Sequence, residues 1–107
     1  MPLEETSVDL VRHFLRGQNL EQLGRLDEAL ELYERCLRGR FDSSGPYDRL
    51  IALYANQARH VDVVRVADAA LENVQTHSEK RAWFEQMRAE ADAAMHNVPH
   101  AVPKKRS

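Results

Sequence analysis

Only one cysteine, Cys36, occurs in 107 residues, so no internal disulfide can form. Charge of one sign is also missing. Fifteen lysines and arginines face seventeen aspartates and glutamates, a net charge of −2 that gives no global field for nucleic acid or an anionic membrane. No apolar run approaches the roughly 20 residues a helix needs to cross a bilayer. Met1-Pro2-Leu3-Glu4-Glu5 is acidic and has neither the basic start nor the apolar core of a signal peptide, which makes the cytoplasm the expected compartment. Strand-like alternation of apolar and polar residues is absent too. There is no glycine-rich phosphate loop, no paired-cysteine metal spacing and no carboxylate pair isolated among apolar residues. Ser43, Ser44, Ser78 and Ser107 fall at loops, caps or the end, without a glycine-flanked nucleophile elbow. Catalysis and cofactors are therefore not expected.

What remains is an ordinary soluble composition, 43% hydrophobic and 30% charged, with room for one domain. Helical periodicity divides it into five segments. Gly24 closes the first, and the second runs over 26–38 before Gly39. Residues 41–46 read as a loop whose Pro46 suits the first turn of a third helix, because its missing N–H is not needed there. A fourth helix covers about 61–74. Its Val61, Val63, Val64 and Val66 favour strands, but Val63, Ala67, Ala70, Leu71 and Val74 keep the 3.6-residue spacing and helix prevails. Thr76-His77-Ser78-Glu79 has the form of a capping box for a fifth helix over about 77–96, ended by Asn97 and Pro99. The last residues, 97–107, form a basic tail.

The second and fourth helices repeat one pattern. Ala29, Leu30, Tyr33, Cys36 and Leu37 are followed at the same spacing by Val63, Val64, Ala67, Ala70 and Leu71. The offset is constant and equals the period of tetratricopeptide repeats, about 34 residues. Over residues 10–96 the chain resembles that family, most closely in the segment from Gln22 to Leu37. Tyr47, Leu50, Ile51 and Tyr54 match the first helix of a second repeat, although Ile51 stands where a small residue is usual. In the first repeat Gly17 and Leu20 fit, while His13 and Arg16 replace large apolar residues. The resemblance implies an all-α fold of antiparallel hairpins stacked as a short right-handed solenoid: repeat one over 10–43, repeat two over 44–77, and a closing helix over 78–96 with Phe84 in its core.

A solenoid of this kind receives a peptide or partner helix on its concave face. The family's groove positions correspond here to Val11, Phe14, Leu15 and Gln18 on the first helix. The third supplies Asp48, Arg49, Ala52, Ala55 and Asn56, and the fifth Glu79, Ala82, Trp83 and Gln86. Clamps that grip chaperone tails carry Lys, Asn, Asn, Lys and Arg at five of these positions. Phe14, Gln18, Arg49, Glu79 and Trp83 occupy them here, and only Arg49 could attract a carboxylate. Chaperone-tail binding is therefore not expected.

Other eye-catching residues have plainer readings. Cys36 sits at a small-residue packing position and reads as inert core. His96 and His100 are four apart but separated by Pro99, with no further ligand evident for a metal. Glu31–Arg35 and Glu34–Arg38 are solubilising i,i+4 pairs, and Lys104-Lys105-Arg106 a solubilising end. The expected function is a protein-interaction adaptor. The alternatives are a self-associating module and an accessory subunit of an enzyme or nucleic-acid complex. Val11, Phe14 and Leu15 at groove positions, with His13 and Arg16 at core ones, leave two expectations for the first helix. Either it is rotated, or it shows solvent an apolar stripe that, with Trp83, a partner or a second copy covers.

Overall fold

The computed structural model describes residues 6–75 and 78–97, which form five α-helices and one 3-10 turn. In order these are α1 (Ser7–Gln22), α2 (Leu26–Arg38), α3 (Ser44–Asn56), α4 (His60–Asn73), the 3-10 turn Ser78–Lys80, and α5 (Arg81–Asn97). No strand occurs among the described residues. None of the described helices is long and apolar enough to cross a membrane.

Local chemistry accounts for the ends. Thr6 opens α1 with a capping box: its Oγ1 accepts the Asp9 N–H, and its own N–H donates to the Asp9 carboxylate, both at 3.1 Å. In α2, Asp27 and Glu28 occupy the first turn and Arg35 and Arg38 the last, each charge opposed to the nearer end of the helix dipole. Three helices stop the same way. The N–H groups of Arg25, Phe41 and Arg59 reach back five residues to the carbonyls of Leu20, Cys36 and Tyr54, around Gly24, Arg40 and Ala58 in the left-handed region. This is the Schellman closure, which satisfies carbonyls the helix leaves open.

Several boundaries differ from the sequence expectation. Arg40, at φ 56°, takes the left-handed position after α2, and Gly39 before it serves another purpose. A Cβ on Gly39 would lie 2.7 Å from Leu10, so the glycine lets α1 come close. α3 begins two residues before Pro46, which is buried in its first turn. Regular α-helix in α5 begins at Arg81, since residues 78–80 wind more tightly. Thr76 and His77 of the expected capping box, and the tail beyond Asn97, lie outside the described residues.

Extensive packing joins only helices adjacent in sequence: α1 to α2, α2 to α3, α3 to α4, and α4 to α5. The core runs through all of them, with Tyr33, Tyr47, Leu50, Ile51, Val63 and Phe84 essentially inaccessible. Burying a side chain of this size contributes about 1.5–3 kcal/mol. Tyr54 is buried as its phase requires, and Ala29 and Ala70 are fully enclosed. Cys36 is buried as well, and its thiol donates to the Leu10 carbonyl at 3.3 Å.

Within the first hairpin Gly17 makes room for Tyr33, whose ring would stand 2.7 Å from a Cβ there. At the same sequence offset that separates the patterns of α2 and α4, Gly17 and Tyr33 are followed by Ile51 and Ala67, both fully buried. The first hairpin carries its bulk on the second helix, at Tyr33, and the second hairpin on its first helix, at Ile51. α1 is not rotated. Leu10, Gly17 and Leu20 are its buried residues, while Arg16 is exposed because no described helix lies outside α1 to cover it.

Candidate functional site

The expected groove positions fall into separate neighbourhoods. Phe14 points inward: its ring lies 6.0 Å from that of Tyr33, and a Cβ at Gly45 would meet its tip at 2.5 Å. The ring is half-buried and joins the core. Val11 and Leu15 are exposed and line up with Val8 instead. Helical spacing explains the division, since about 100° per residue turns Phe14 away from Leu15 by a quarter turn or more.

Gln18 and Arg49 do come together. With Glu21 and Gln22 they line an open cleft of ≈ 270 Å³ between α1 and the start of α3. Arg49 grips the Glu21 carboxylate with two nitrogens, Nε at 3.1 Å, and the Tyr33 hydroxyl donates to the same carboxylate at 2.8 Å. The guanidinium hydrogen bond, ahead of the phenol's, holds the Glu21 carboxyl below its ordinary value despite partial burial. Burial first, and the Glu21 carboxylate second, push the Tyr33 phenol well up. The one expected cation of the groove is thus already neutralised within the chain. What the cleft offers a visitor is amide groups and a locked ion pair, not an open positive charge.

Asp48 and Trp83 are linked by a residue the sequence reading passed over. Lys80 reaches from the 3-10 turn to the Asp48 carboxylate at 2.9 Å, and its ammonium stands 4.1 Å above the Trp83 ring. Trp83 in turn meets Phe84 edge-on at 5.5 Å, which ties this corner to the core. Ala52 is half-buried, whereas Asn56, Glu79 and Ala82 are exposed. Ala55 borders a second cavity of ≈ 230 Å³ lined also by His60, Val63, Met87, Glu90 and Ala91. Gln86 is exposed and donates to Glu90 at 2.9 Å.

Glu21, Gln22, Lys80, Met87 and Glu90 therefore belong to these surfaces and were missed. A signal existed for two of them: Glu21 and Gln22 precede Ala55 and Asn56 by one repeat period. Among the described residues no group of three or more His, Cys, Asp or Glu side chains is placed to hold a metal ion. His96 directs Nδ1 at the Asp92 carbonyl, 2.7 Å away, and His100 lies outside the described residues. Compared with protein-family models, with curated proteins and with solved structures, the chain matches none.

Proposed function

We propose that this chain is a cytoplasmic protein-interaction module of tetratricopeptide type, an adaptor that holds a partner's peptide or helix against α1, α3 and α5. In this reading α1–α2 and α3–α4 are successive hairpins of a short right-handed solenoid, and α5 closes it. One observation carries the reading. The turn inside each hairpin is built alike, one repeat period apart: Gly24 and Ala58 are both left-handed, and Arg25–Glu28 and Arg59–Asp62 bridge the helix start that follows. Repeated geometry at that period supports repeated stacking, and stacking leaves one shared face for α1, α3 and α5.

The chemistry of the cleft suits adhesion better than catalysis. A general base needs a value near the working pH, whereas Glu21 is held below its ordinary value. Gln18 and Gln22 can pair with a peptide main chain. The test is site-specific photo-crosslinking in the native host. A photoreactive residue at Gln18 or Gln22, both lining the cleft, should capture one heterologous polypeptide, and the same residue at Glu31, exposed on α2, should not. Equal capture from Glu31, or none from the other two, defeats the reading.

A further inference from the structure

Because extensive packing joins only chain neighbours, α1 and α5 are the two ends of the stack, and each has a face that no other described helix covers. The α1 face carries Val8, Val11 and Leu15, 60%, 41% and 53% exposed. Arg12 and Arg16 flank them, and Arg12 also helps to hold the Asp9 carboxyl below its ordinary value, after the hydrogen bonds from Thr6. The uncovered side of α5 is different in shape and opposite in charge. Ala82, Ala89 and Ala93 are exposed in a row at helical spacing, bordered by exposed Glu85, which Arg81 meets at 3.6 Å, and Glu90, which accepts from Gln86 at 2.9 Å. One end is bulky, apolar and basic; the other is shallow and acidic.

We propose that these two faces bind each other between copies, α1 of one molecule lying on α5 of the next, so that the protein associates head to tail. Alanine lets helix axes approach closely and leaves space for the valines and leucine. The arginines of one face then meet the glutamates of the other. Pairing α1 with a second α1 would instead bring Arg12 and Arg16 against their own copies, a like-charge contact. The end helices of stacked-hairpin proteins ordinarily turn polar faces outward, and α1 does not. Because the two patches differ, the contact is heterologous and can continue into a ring or chain. It lies apart from the cleft at Gln18 and Arg49, so it stands or falls separately from the adaptor reading.

Sedimentation velocity on the full chain tests it. Wild-type mass should grow with protein concentration beyond that of two chains, and the growth should weaken as salt rises. Leu15→Asp and Ala89→Arg should each sediment as single chains with unchanged helicity, since both sites are exposed. An equimolar mixture of the two should recover a two-chain species and go no further, because each retains one intact face. If either substitution lowers helicity, charge reversal replaces it: Arg12→Glu with Arg16→Glu, or Glu85→Arg with Glu90→Arg, should each abolish association, and all four in one chain should restore it. Wild type that stays single at every concentration overturns the proposal. So does an Ala89→Arg variant that still pairs, which would mark an α1–α1 contact.

Discussion

Tyr33 and Tyr54 make the same polar arrangement in different places. Tyr33 donates to Glu21, gripped by Arg49, and Tyr54 donates to Glu34, gripped by Arg65. Arg59 also covers the Tyr54 ring at 4.4 Å. Tyr54→Ala should cost about 3–5 kcal/mol, the usual loss for a large core side chain. Tyr54→Phe removes only the hydrogen bond to a charged group and should cost about 1.5–3 kcal/mol. Denaturant melts that place both variants at wild-type stability would refute this burial and pairing. The ionisable groups set limits at both ends of the pH scale. Because the folded-state value of Glu21 is depressed, its contribution is present above the ordinary glutamate value of 4.5 and is lost as pH falls through the depressed one. The wild-type melting temperature should therefore fall more steeply in acid than that of Glu21→Gln. Tyr47 and Tyr54 are pushed up to about 12, chiefly by burial, from an ordinary 10. Stability they contribute is intact below pH 10 and drains away as pH rises towards 12, which tyrosinate absorbance should follow. Sequence spacing located the tyrosines but not their partners. The reach of Arg49 to Glu21 spans 28 residues, and a long flexible side chain finds its acceptor only once the helices are stacked.

Helix boundaries were legible where the chain carries its own punctuation. α2 begins and ends where expected, because a strong apolar stripe lies between Gly24 and Gly39. Nothing local announces Arg40 or Ala58 as left-handed residues, since neither is glycine or asparagine. Their conformation is imposed by the next helix, which must fold back and close the hydrogen bonds of the last. Left-handed backbone costs a residue with a Cβ about 1–2 kcal/mol. Ala58→Gly should therefore stabilise the protein by about 1 kcal/mol, and Gly24→Ala should destabilise it by a similar amount. Chemical denaturation reads both, and opposite signs would mean that neither turn depends on φ. The start of α5 escaped the sequence for a related reason. A 3-10 turn has no period of its own at three residues, and Lys80 is fixed there by Asp48 from α3, 32 residues earlier.

Seen whole, the molecule is a run of helices in which each leans on its chain neighbours. Such a body folds from short-range contacts, which favours speed. Similarity between its hairpins also brings a hazard, since the first helix of one could close on the second helix of the other. The exchange of bulk between Gly17 with Tyr33 and Ile51 with Ala67 answers it. Tyr33 against Ile51 would set two large groups in space made for one, and Gly17 against Ala67 would leave a void. Each hairpin thus accepts its own half and penalises the other. Ala67→Tyr should cost about 1–3 kcal/mol by overpacking, and Ile51→Gly added to it should restore part of the loss. A double variant no more stable than Ala67→Tyr alone would show that the two sites do not share their space. If the coupling holds, side-chain volume serves as an address label, written at two positions in each hairpin, that tells a newly made chain which half belongs to which.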